Sequence, residues 1–159
     1  MESRLQAAIA LRKAGEHEQS RAALKVLADE PALRAQALLN IAWSFDNQGR
    51  ERDAEGYYLA AIEAGLSDED EFETRFGLAS TWRCLGKYPQ AKAQFAEIIA
   101  RWPQATEVPP FYALCLHNLG EHDAALAVLM GSIVQNPDAR TAPYAEVLRN
   151  YAQNPHQRW

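Results

Sequence analysis

Apolar side chains recur along this chain at intervals of three and four residues, and the stretches that carry them break at short glycine-containing phrases. Leu38, Ile41, Ala42 and Phe45 stand at i, i+3, i+4 and i+7. Leu78, Ala79 and Trp82, then Tyr112, Ala113 and Leu116, keep the same spacing, and Ala7, Ala8 and Leu11 a weaker form of it. With about 3.6 residues per turn, each set falls on one face of a helix. The breaks read Ala14-Gly15-Glu16-His17, Gln48-Gly49-Arg50-Glu51, Leu85-Gly86-Lys87-Tyr88 and Leu119-Gly120-Glu121-His122. Five residues beyond each glycine comes a small side chain, and four further on a large apolar one: Ser20 and Leu24, Ala54 and Tyr58, Ala91 and Phe95, Ala125 and Leu129. The pattern predicts pairs of helices, A and B, joined by a turn whose glycine takes positive φ. The small residue admits a close helix crossing, and the large one fills the adjoining gap.

The glycines are separated by 34, 37 and 34 residues. A helical hairpin recurring at about 34 residues resembles the tetratricopeptide repeat, and the small-then-large pair after each glycine is similar to that family's Ala-x-x-x-Phe element. Pro103 and Pro137 close B helices, and Pro31 does so one residue early. Ala8, Ala42, Ala79 and Ala113 stand where the family often has glycine, and a methyl group still permits close approach. The 37 reflects three extra residues in the stretch Gly65-Leu66-Ser67-Asp68-Glu69-Asp70-Glu71. The resemblance implies an all-α fold, an α-solenoid of about four repeats at roughly 2–32, 35–66, 71–104 and 106–137. Beyond them Tyr144, Val147, Leu148 and Tyr151 share one face of a further amphipathic stretch. It reads as a capping helix over 139–153, with Tyr144 packed on the fourth repeat and a tail at 154–159. One domain, 1–153, is expected, because single hairpins cannot bury their own apolar faces.

Composition narrows the function classes. The 159 residues are 48% apolar and 23% charged, enough for a real core, and the net charge of −5 offers no basic field to a phosphate backbone or an anionic membrane. Nucleic acid and membrane are therefore not expected partners. The apolar stretch Leu5 to Leu11 is too short for a signal peptide and runs into Arg12-Lys13 without a cleavage site. Cys84 and Cys115 form neither a disulfide framework nor a metal-ligand spacing, so a reducing cytoplasm is the expected compartment.

Catalytic chemistry finds little foothold. His17 and His122 follow turn glycines, His156 is in the tail, and His117 lies two residues from Cys115, on a different part of its helix. Asp68, Glu69, Asp70 and Glu71 suit the first turn of a helix capped by Ser67. No phosphate loop, carboxylate pair or nucleotide fingerprint is present. The expectation is a chain without enzymatic activity, cofactor or metal.

In the family that this chain resembles, partners are held in a concave groove lined by the A helices. At about 100° per residue, Trp43, Asn47 and Asn40 fall opposite the buried stripe of the second A helix. Stepping by the repeat aligns Ile9, Trp43, Ser80 and Leu114 in one column and Lys13, Asn47, Cys84 and Asn118 in another. A third column, Leu5, Leu39, Phe76 and Pro110, reads as a seal between A helices. Trp43, Phe111 and Leu114 either line the groove or pack within the chain, and Asn40, Asn47, Arg83, His117 and Asn118 are placed to hold a peptide backbone. The chaperone co-factors of the family grip a terminal carboxylate from places occupied here by Leu5, Ile9, Asn40, Glu73 and Gly77, of which only Asn40 fits. A peptide or helix with apolar anchors is the expected ligand. The alternative is a homo-oligomer, such as a homodimer, formed through the groove or the capping-helix face.

Overall fold

The amide after each turn glycine donates to the carbonyl five residues before it. Glu16 reaches Leu11 at 2.9 Å, Arg50 reaches Phe45 at 3.1 Å, Lys87 reaches Trp82 at 2.8 Å and Glu121 reaches Leu116 at 2.9 Å. This is the six-to-one bond of a Schellman helix ending, which needs a left-handed residue just before the donor. Gly15, Gly49, Gly86 and Gly120 take that conformation, with φ of 85°, 65°, 76° and 78°. A β-carbon at Gly49 would meet no neighbour, so its requirement is the backbone conformation alone.

These turns organise a computed structural model that describes residues 2–158, apart from the side chain of Glu2; Met1 and the tail residue Trp159 lie outside the described residues. Nine α-helices and no strand occur among the described residues: α1 (Glu2–Lys13), α2 (His17–Leu27), α3 (Arg34–Asp46), α4 (Glu51–Ala64), α5 (Asp68–Cys84), α6 (Tyr88–Arg101), α7 (Val108–Asn118), α8 (His122–Gln135) and α9 (Ala145–Gln153). A short 3-10 turn, Ala142–Tyr144, precedes α9. Ser67 caps α5 as expected, its Oγ accepting from the Asp70 amide at 3.3 Å with four acidic residues in the first turn.

The chain divides into two units between Lys87 and Tyr88. In the first, consecutive helices pack on one another and the A helices also touch, α1 with α3 and α3 with α5. The small residues Ser20 and Ala54 are buried completely, as are Leu24 and Tyr58 four residues after them. Ser20 adds a bond from its hydroxyl to the Ala8 carbonyl at 2.7 Å, joining α2 to α1. Arg21 is a buried cation held by neutral partners: its Nη1 donates to Ser44 Oγ at 2.9 Å and Gln48 Oε1 at 2.7 Å, and its guanidinium lies over the Phe45 ring.

In the second unit α6, α7, α8 and α9 pack in sequence order. Ala91 and Phe95 are fully buried. The fourth small-and-large pair departs from this: Ala125 is buried, but Leu129 is 40% exposed. The capping helix also differs from expectation. It packs on α8, yet Tyr144 is 61% exposed and Val147 and Tyr151 are exposed too, while Ala145, Leu148 and Ala152 are half-buried. The nine residues of α9 offer the core only the narrow edge of Ala145, Leu148 and Ala152, so it cannot cover α8 as a whole repeat would. The tail touches α8, with His156 Nε2 2.7 Å from Asp123 Oδ2.

Candidate functional site

From Ala37 to Phe45 every residue of α3 is buried except Trp43, because α1, α2, α4 and α5 all pack against this one helix. Trp43 is half-buried, and its apolar part packs against the core of the first unit. It opens onto a recess of about 250 Å³ whose lining includes Ile9 and Leu39 with the polar groups of Gln6, Arg12, Lys13, Gln36, Asn40 and Asp70. A large aromatic beside a small number of placed polar groups is the usual composition of a recognition site.

Arg12 is the charged group held against the indole. Its guanidinium carbon is 5.1 Å from the centre of the Trp43 ring, within range for a cation–π contact, and its Nε donates to Asn40 Oδ1 at 3.2 Å. Asn40 in turn donates to the Gln36 carbonyl at 2.8 Å. Burial lowers the Arg12 pKa, but a guanidinium keeps its charge in protein surroundings. Asn40 is only 5% exposed, so its amide positions Arg12 rather than standing open to a ligand.

Of the residues that repeat spacing selected, Ile9, Asn40 and Trp43 come together in this recess. Asn47 is exposed at the end of α3, and Ser80 and Arg83 are half-buried on α5; none of the three lines it. Phe111, Leu114, His117 and Asn118 form an exposed strip on α7 of the second unit, with Leu114 50% exposed. In the sealing column Leu5 and Leu39 are buried and Phe76 half-buried, whereas Pro110 is exposed.

Arg12 was not among the residues selected from sequence, although a signal for it existed. One repeat step back from His117 falls on Arg83, the next on Asp46 and the next on Arg12. This column does not behave uniformly. Arg12 turns towards Trp43, whereas Asp46 turns inward, accepting from the Tyr58 hydroxyl and, at 3.3 Å, from Thr81 Oγ1. Burial raises the Asp46 pKa against those two hydrogen bonds, and burial with the Asp46 charge raises that of Tyr58, so the shared proton stays on the phenol.

The family profile described as Tetratrico peptide repeat matches residues 35–154, three quarters of the chain. The chain belongs to the tetratricopeptide repeat family. Tetratricopeptide repeats are generally protein-interaction scaffolds rather than catalysts. Comparison with curated proteins gives no match. The matched residues begin inside α3, so α1 and α2, and with them Arg12, precede the match, yet they share its turn geometry. No helix among the described residues is long and apolar enough to cross a membrane.

Proposed function

We propose that this tetratricopeptide chain is a non-enzymatic module that binds an extended or helical segment of a protein partner on its A-helix face, with the Trp43 recess as the principal contact. The observation that carries this reading is the partial exposure of Trp43 alone on an otherwise buried length of α3, beside the Arg12 cation. Such a partner places an apolar anchor against Trp43 and Ile9 and offers hydrogen-bond acceptors to Arg12 and Lys13. Phe111 and Leu114 on α7 are a separate exposed apolar strip of the second unit. The net charge of −5 argues against nucleic acid and anionic membrane as partners, and Cys84 and Cys115, neither in a disulfide, suit a cytoplasmic setting.

Selection from a random peptide library tests the reading. Peptides enriched on the full chain and lost on Trp43→Ala support it. Enrichment of the same peptides on both proteins moves the site elsewhere.

A specific observation favours self-assembly as the second reading. Val147 and Tyr151 of α9, with Tyr144 of the 3-10 turn before it, form an exposed face, which is the arrangement of an interface helix. Light scattering over a concentration series separates the readings: a dimer abolished by Val147→Glu assigns this face to a second copy, and a monomer at all concentrations leaves the partner reading alone.

A further inference from the structure

The turn between α7 and α8 brings two imidazoles together. His117 lies in the last turn of α7, His122 is the first residue of α8, and their Nδ1 atoms are 3.0 Å apart with ring centres 4.6 Å apart. Both side chains are exposed. The backbone fixes where the two residues meet, since Gly120 holds φ at 78° and the Glu121 amide is bonded to Leu116 at 2.9 Å, and the two exposed rings face each other across that turn.

The distances match chelation better than a linear hydrogen bond. Two nitrogens 3.0 Å apart, each about 2.05 Å from a common metal ion, subtend about 94° at it. Extending each bond by about 1.15 Å to the ring centre puts the centres about 4.7 Å apart, close to the observed 4.6 Å. Rings meeting head-on through one linear N–H···N bond would hold their centres about 5.3 Å apart. A tetrahedral zinc angle would need nitrogens about 3.3 Å apart, whereas an angle near 90° suits the tetragonal preference of Cu(II) and Ni(II).

We propose that His117 and His122 form a two-nitrogen chelating site for a divalent late transition ion, Cu(II) or Ni(II) ahead of Zn(II), with water completing the coordination. Among the described residues no third histidine, cysteine or carboxylate joins them, so the site is open. Glu121, held by Lys92 at 2.8 Å, and Asp123, beside His156, place negative charge on the same turn without occupying the chelating positions.

Calorimetric titration of the tag-free full chain with nickel chloride tests this, with circular dichroism confirming that each variant keeps its helices. One Ni(II) per chain is expected. His117→Gln and His122→Gln should each weaken it by at least about tenfold, because the second ligand joins as an intramolecular group, while His156→Gln leaves it unchanged. Cu(II) should show nitrogen coupling in its electron paramagnetic resonance spectrum that both turn variants lose. Zinc chloride should bind more weakly than nickel. Nickel affinity that is indifferent to His117 and His122, or lost in His156→Gln, overturns the assignment.

Discussion

A β-carbon built on Gly77 would stand 2.6 Å from the hydroxyl oxygen of Tyr58 and 2.7 Å from its ring carbon Cζ. The ring is buried and its hydroxyl is tied to Asp46, so it cannot swing aside. Overpacking of about 1–3 kcal/mol is set against the roughly 1 kcal/mol by which alanine favours a helix, so Gly77→Ala is expected to destabilise the protein by up to about 2 kcal/mol. Gly56→Ala and Gly131→Ala are the controls, since a β-carbon at either meets nothing within 4 Å. They should stabilise by about 0.5–1 kcal/mol. Urea melts in which all three shift the same way would refute this packing.

Trp43→Ala should weaken peptide binding by about 2 kcal/mol. The indole also packs on the core and under Arg12, so a stability loss of about 1–2 kcal/mol accompanies it. Arg12→Gln separates the two effects, removing the cation but leaving the indole. It should reduce affinity for peptides bearing acceptors more than it lowers the melting temperature. Equal affinity of wild type and Trp43→Ala for selected peptides would remove the recess from the binding face.

Ala91 is completely buried in the first turn of α6. Ala91→Leu should cost about 1–3 kcal/mol through overpacking. An unchanged urea midpoint would contradict the register that puts this residue at the crossing.

Asp46 makes a signed prediction about pH. Its folded pKa lies above its ordinary value, burial being the main cause, so the folded state binds this proton more tightly than the unfolded state. Its contribution is most favourable below the unfolded value of about 3.9, is lost as pH rises through the folded pKa, and is constant above it. Asp46→Asn, which can still accept from Tyr58 and donate to Thr81, should flatten the fall in stability that begins near that value. If the wild type and the variant have parallel stability profiles from pH 4 upwards, Asp46 is not the group responsible.

On the capping helix, Leu148→Ala should lower stability by about 1–2 kcal/mol, and Tyr144→Ala by less, because Leu148 is half-buried and Tyr144 mostly exposed. The reverse order in thermal melts would place the tyrosine against α8 after all.

The turns, the helices and the crossing residues were legible in the sequence because their causes are local. A glycine at positive φ, a small side chain five residues on and apolar positions at helical spacing act within one hairpin, and copying the unit preserved them. Ala54 with Tyr58 and Ala91 with Phe95 are buried as that reading requires. Leu129 broke the rule because burial is not local: the same place in the unit is covered only if another element lies over it. The site divides along the same line. Helical angle alone picked out Trp43, but repeat spacing does not say which way a side chain turns. Arg12 and Asp46 share a column, and tertiary packing sends one over an indole and the other inward to a buried phenol. The turn that brings His117 and His122 near each other is local, but the 3.0 Å meeting depends on the direction each ring takes, which spacing does not give. Sequence by itself determined the repeat and its register, since these follow from backbone conformation and periodicity. Tertiary structure decided the direction and burial of each polar group, since those depend on neighbours brought from other helices.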